Sequence, residues 1–222
     1  MVQRHFFNIV IFLFFLFSSS VLAHEKDRAF AYQTYISRGN FYADKGQHDK
    51  AIEEYKNAID LNPSDPIAYY MRGITYCKKG QYGKGIEDYN RAIDLKPDKA
   101  IAYQIYVSRG EFYGNKGQHE RAVEDLRKAI ALNPENPRAY TKLWRVHYNY
   151  GNVSKRKGQY DKAIEEYSAA IGLTPNNPHP YTGRGYIYIL KGDKKSAIID
   201  LQSACDLGDK NACHILEILK SN

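Results

Sequence analysis

Seven histidines, three cysteines and several adjacent pairs of acids are the side chains in this sequence with a capacity for chemistry. A histidine beside a carboxylate serves as a general base or a metal ligand. The spacing argues against both roles. His24, His147, His179 and His214 show no H-E-x-x-H or related ligand pattern, and His5 lies next to an N-terminal apolar run. His48 and His119 follow Lys-Gly-Gln segments at a position that Tyr82 and Tyr160 hold in sister segments, which marks them as half-buried turn residues. No G-x-S-x-G elbow, phosphate-binding glycine loop, C-x-x-C pair or four-ligand Cys/His zinc spacing occurs. The acid pairs Glu53-Glu54 and Glu165-Glu166 fall opposite an apolar helical stripe, where solvated charge is expected. The sequence therefore predicts no enzyme activity, no cofactor and no metal.

The elements that carry these residues are legible. A chain of 222 residues with 43% hydrophobic and 26% charged content folds rather than staying disordered. Near the N-terminus, Phe6 to Phe17 reads FFNIVIFLFFLF after a single charge at Arg4. As a helix this run covers roughly 18 Å, short of a hydrocarbon core of about 30 Å. Three serines and Val21-Leu22-Ala23 follow, so the segment reads as a secretory signal over residues 1–23, cut after Ala23 and leaving an exported, periplasmic or secreted protein. An uncleaved N-terminal membrane anchor is the alternative. The formal net charge is +7, one less without Arg4.

Behind the leader the chain repeats itself. KGQHDKAIEEYKNAIDLNP from Lys45 returns as KGQYGKGIEDYNRAIDLKP from Lys79, KGQHERAVEDLRKAIALNP from Lys116, KGQYDKAIEEYSAAIGLTP from Lys157 and, more weakly, KGDKKSAIIDLQSACDLGD from Lys191. A second block precedes four of the five: Tyr35, Arg38, Gly39 and Tyr42 are matched from Tyr69, Tyr106 and Tyr181, whereas the fourth copy keeps only Gly151. Ala51, Ile52, Tyr55, Ala58 and Ile59 form one stripe at helical period. Gly46 can end the preceding helix in a left-handed conformation, and Pro63 stops the next. Ser64-Asp65-Pro66, Asn136-Pro137 and Asn177-Pro178 read as caps followed by proline at the first helical position. Gly39 and Ala51 are small where two helix backbones approach, with Tyr35, Tyr42 and Tyr55 filling the space around them. Gly85 stands where sister repeats have alanine, at a cost of about 1 kcal/mol, which would make the second repeat the softest full unit.

These residues resemble the tetratricopeptide repeat (TPR), a helix-turn-helix unit of about 34 residues. The resemblance covers residues 32–211 as repeats 32–65, 66–99, 103–136, 144–177 and 178–211, with a lead-in over 24–31 and a capping helix over 210–220. It implies an all-α fold, a right-handed α-solenoid, because one helix pair cannot bury its apolar face alone. Three extra residues before the third repeat predict a first helix extended from a cap at Asp98. Seven more, Pro137 to Leu143, return a helix to within about 20° of its starting direction. They predict one helix from Pro137 to about Lys157 whose extra turns project at an edge with Arg138, Lys142, Trp144, Arg145 and Tyr148, a set suited to a partner or to packing.

The resemblance also implies a non-catalytic interaction scaffold that holds a peptide or partner helix on its first helices. By position that surface comprises Gln33, Ile36, Asn40, Tyr70, Ile74, Gln104, Val107, Glu111, Tyr148, Asn152, Thr182, Tyr186 and Ile189. Neither Ile36 with Asn40 nor Val107 with Glu111 supplies the lysine and asparagine of the carboxylate clamp of chaperone-binding members. No nucleic acid is expected. Electrostatic binding to an anionic polymer or peripheral association with a membrane surface is a second reading, prompted by the positive charge. The C-x7-C element at Cys205 and Cys213 is similar to one in exported cysteine-rich relatives, which implies a disulfide there; two buried thiols are the alternative, and an enzyme allied to those relatives is a third reading. Cys77 reads as a small apolar residue.

Overall fold

A computed structural model of the chain describes residues 25–221, and the segment 1–23 expected to be a secretory signal lies outside them. The described residues form helices joined by tight turns: α1 (25–44), α2 (His48–Leu61), α3 (Pro66–Lys78), α4 (Tyr82–Asp94), α5 (Lys99–Asn115), α6 (His119–Leu132), α7 (Pro137–Arg156), α8 (Tyr160–Leu173), α9 (Pro178–Leu190), α10 (Lys194–Asp206) and α11 (Lys210–Ser221). The fold is all-α, a solenoid of stacked helix-turn-helix repeats. Two compact units divide it, Met1–Pro97 and Asp98–Asn222. Among the described residues no helix is long and apolar enough to cross a membrane.

Local chemistry sets the boundaries. Asp65, Asn136 and Asn177 each accept a hydrogen bond from the backbone two residues on, with proline at the first helical position. Asp98 accepts from Ile101 N at 2.8 Å and starts α5. At the turn after α1, Gly46 has φ of 71°, and its N–H and that of Gln47 donate back to Ala43 and Tyr42 at 3.0 and 2.9 Å. These two bonds close the helix end with a left-handed residue, and the same device recurs before every second helix. Lys96 alone among described non-glycine residues has a left-handed φ, 53°.

In the first unit Tyr32, Ile36, Ala51, Tyr55, Ala58 and Ala68 form the core, with Tyr55 fully buried. Residues 25–31, a lead-in by repeat counting, are instead helical, and Arg28 donates to the Leu61 carbonyl at the end of α2. Gly39 is small for a cause different from the expected one. A Cβ on Gly39 would meet the Tyr55 ring at 2.4 Å, so Gly39 admits a tyrosine rather than a backbone. A Cβ on Gly85 would lie 2.4 Å from Cys77 Sγ and 2.9 Å from the Gly73 carbonyl oxygen. Cys77 therefore fills the place of the alanine methyl that Gly85 lacks, and burial pushes its thiol pKa up.

In the second unit consecutive helices pack in chain order, and the first helices α5, α7 and α9 also touch directly, α5 with α7 and α7 with α9. α7 runs unbroken over 20 residues. Its extra turns do not project freely. Ala139 is buried with Tyr103, Val107 and Ala129 of α5 and α6, the contact that Ala68 makes with Tyr32, Ile36 and Ala58 in the first unit, and Leu143 is 3% exposed. Cys205 and Cys213 are bonded, tying α10 to α11, and Ala212 and Leu216 of α11 complete the core with Leu201 and Ala204.

Candidate functional site

Each first helix is locked to its second helix by charge. Arg38 pairs with Glu54 at 2.7 Å, and Arg72, Arg109 and Arg184 each grip Asp88, Asp125 and Asp200 through two hydrogen bonds of 2.7–2.8 Å. The acids are 7%, 5%, 2% and 3% exposed. Glu54 and Glu166 therefore do not lie on a solvent face: each second helix turns one acid of its stripe inward, where the guanidinium fork satisfies it. Tyr69 and Tyr76 flank Arg72, and Tyr106 and Tyr113 flank Arg109, with ring centroids 5.6–5.9 Å from the guanidinium carbon. The repeated tyrosines thus serve as cation–π walls as well as filler.

The fourth repeat departs from this pattern. Tyr150 occupies the arginine position, and Glu166 is met instead by His147 Nδ1 at 2.7 Å and His119 Nε2 at 3.1 Å. Burial opposes ionisation of Glu166, yet the hydrogen bonds from His119 and His147 outweigh it and hold its pKa at about 2. Tyr150 stacks on His119 with centroids 4.0 Å apart and planes 8° apart, and Lys162 Nζ sits 4.8 Å from the Tyr150 ring centre. His119 is accordingly buried rather than half-buried. His48, its counterpart in the first unit, keeps partial exposure.

The first-helix surface of the second unit is where α5 and α7 meet through polar groups. Arg138 donates to Gln104 at 3.1 Å, and both Lys142 and Arg145 pair with Glu111. Burial opposes ionisation of Glu111, but the two cations prevail and lower its pKa. α7 carries Arg138, Lys142, Arg145, Lys155 and Arg156 and no acid. Trp144 lies flat against Tyr148, centroids 5.5 Å apart, and Tyr148 in turn adjoins Tyr167 and His179. Tyr186 is 45% exposed, with Lys155 over its ring.

The residues expected to face a ligand divide accordingly. Tyr186 and, in the first unit, Gln33 are exposed, while Gln104, Glu111, Tyr148, Thr182, Ile74 and Ile189 are half-buried. Ile36, Tyr70 and Val107 are core residues at 8%, 7% and 0% exposure. Asn40 and Asn152 accept hydrogen bonds from Tyr55 and Tyr167 at 2.7 and 2.8 Å, which commits their side-chain oxygens to packing. Thr182 donates to Asp209 at 2.6 Å. The arginine–acid locks escaped the sequence reading, although their signal was present: an acid follows each repeat arginine by 16 residues.

TPR repeat models match residues 39–80, 110–151, 151–192, 66–99 and 178–210, together more than half of the chain. No curated protein matches the sequence significantly. Among solved structures, MamA is 27% identical with a TM-score of 0.59, covering 82% of this chain and 94% of its own. YrrB, described as a TPR protein with an unusual peptide-binding site, is 22% identical at 0.57 and covers 82% and 90%. PilF of Pseudomonas aeruginosa is 19% identical at 0.51 and covers 83% and 79%; at these identities the last two show the fold alone. TPR proteins are generally non-catalytic scaffolds for protein–protein interaction. On its repeat signature, its helix pairs and these matches, the chain belongs to the tetratricopeptide repeat family.

Proposed function

We propose that this protein is an exported, non-catalytic scaffold of the cell envelope that holds a peptide or partner helix on its first-helix surface. The observation that carries the reading is the α5–α7–α9 face, where the cations of α7 meet a single acid, Glu111, beside half-buried aromatic rings. Tyrosine and arginine supply much of the binding energy at protein interfaces, and here they stand on rigid helices. The leader-like N-terminus and the Cys205–Cys213 bond, which suits an oxidising compartment, support export.

The test is photocrosslinking from chosen positions of the full chain in its own envelope. A crosslinker at Arg138 or Tyr186 should give discrete protein adducts, whereas one at the exposed second-helix positions Glu165 or Ile199 should not. Equal yields from both faces would end this reading. The basic character of α7 also favours a second reading, attraction to an anionic polymer or membrane surface. That binding would collapse between low and moderate salt, while a peptide held by side-chain contacts would persist.

A further inference from the structure

Glu166 is the inward acid of its repeat, and its arginine is missing. Four sister acids are each held by a guanidinium from the same repeat. Here two imidazoles replace it, His147 from α7 and His119 from the preceding second helix α6, and both aim a ring nitrogen at one carboxylate. His119, His147 and Glu166 are 8%, 7% and 7% exposed, and one ligand atom from each lies within 4.8 Å of the others. The cluster borders a surface depression of about 640 Å³ that His119, His147, Glu165 and Glu166 help to line. We propose that His119, His147 and Glu166 form a binding site for a divalent transition metal ion of the zinc class, with the fourth coordination position open toward this depression.

The chemistry fits. Two histidines and one glutamate are a complete protein ligand set for zinc with one position left for water or a partner's side chain. A tetrahedral ion with bonds of about 2.0–2.1 Å needs ligand atoms about 3.3 Å apart, so no pair of ligand atoms, all within 4.8 Å of one another, must close by more than about 1.5 Å. The shorter separations of 2.7 and 3.1 Å must open by a few tenths of an ångström, within the reach of side-chain rotation. Ligation requires lone pairs on His119 Nε2 and His147 Nδ1, so each ring carries its hydrogen on the other nitrogen. For His119 the hydrogen bond from Nε2 to Glu166 gives way to the metal bond, and the ring hydrogen moves to Nδ1, which is buried without a partner in the metal-free arrangement. The stacked Tyr150 ring holds the His119 imidazole in orientation, as an outer-shell group does in a metal site. The arginine that this tyrosine replaces would have placed a positive charge where the ion sits.

The untagged full chain, stripped with a chelator, is titrated with Zn²⁺ by calorimetry and with Co²⁺ by visible absorption. The expected result is one tightly bound zinc with a micromolar or lower Kd, a raised Tm at saturating zinc, and the intense d–d bands of a tetrahedral cobalt site. Glu166→Gln should weaken zinc by about 100-fold or more. The double substitution His147→Tyr with Tyr150→Arg rebuilds the sister-repeat pair, so it should fold normally and bind no zinc at this site. A wild-type chain that takes up no zinc, or zinc bound with equal affinity by the wild type and Glu166→Gln, overturns the proposal. So does unchanged binding by the rebuilt double variant, whose fold is checked by its circular dichroism.

Discussion

Replacing Gly85 with alanine should destabilise the protein, although alanine is the residue sister repeats hold there and gains about 1 kcal/mol of helix propensity. The new methyl would meet Cys77 Sγ at 2.4 Å and the Gly73 carbonyl oxygen at 2.9 Å. Overpacking of this kind costs about 1–3 kcal/mol, so Gly85→Ala should lose roughly 1 kcal/mol net. Cys77→Ala alone removes a half-buried sulfur and should also cost about 1 kcal/mol. The double variant reproduces the Ala43 and Ala51 pair of the first repeat, and its α3 and α4 need separate by only a few tenths of an ångström to relieve the Gly73 contact. It should lie within about 0.5 kcal/mol of the wild type, which makes the coupling energy of the cycle favourable by about 1.5 kcal/mol. Urea melts followed by far-ultraviolet circular dichroism at constant m measure all four corners. A rise in midpoint for Gly85→Ala alone, or a coupling near zero, would refute the claim that the thiol stands in for the missing methyl.

Three further outcomes follow from the packing. Arg109→Ala strands Asp125, 2% exposed, and should cost about 3–5 kcal/mol, whereas Lys79→Ala removes a partner from the exposed Asp49 and should cost under about 1 kcal/mol; equal losses in a denaturant melt would show the buried locks to be incidental. Lys96→Asn should stabilise the protein by about 0.5–1 kcal/mol, read as a raised urea midpoint, since asparagine tolerates the left-handed φ of 53° that lysine adopts at strain. Reducing the Cys205–Cys213 bond should cost about 2.5 kcal/mol on the chain-entropy model and loosen α11 first, read as faster amide exchange over Lys210–Ser221 than over α9.

The sequence carried the architecture because a repeat states each rule several times. The Lys-Gly-Gln turns, the Asn-Pro starts and the alanine stripes each recur, and every recurrence is a local signal with a local cause. The unbroken α7 was legible from the seven-residue length of its insertion alone, since an apolar stripe survives that shift. What its extra turns touch was not legible. The seven residues added to α7 look like an irregularity in one dimension, yet in space they lie on side chains of the third repeat, where Ala139 meets Tyr103 and Lys142 meets Glu111. The expected groove suffered for the same reason. Gln104 and Glu111 lie where the repeat pattern puts ligand-facing groups, but the bases of the lengthened neighbour reach them first.

The histidine cluster shows the limit from the other side. Ligand spacing along a chain is informative when the ligands share one helix, as i and i+4 do, and says nothing when they come from three helices of two repeats. Here the usable signal was a gap. Every other repeat pairs an arginine with an inward acid 16 residues later, so Tyr150 at the arginine position leaves Glu166 with a buried charge to satisfy. A lone buried carboxylate is too costly to persist, so some other group had to approach it. His147 stands at the tyrosine position three residues before the gap, and His119 opens α6 in the preceding repeat and reaches the same acid. Read as departures from the repeat consensus rather than as isolated histidines, the substitutions at 147 and 150 are one change: where Arg and Tyr give way together to Tyr and His, the acid they enclosed exchanges a guanidinium for ring nitrogens of His147 and of His119 from the preceding repeat.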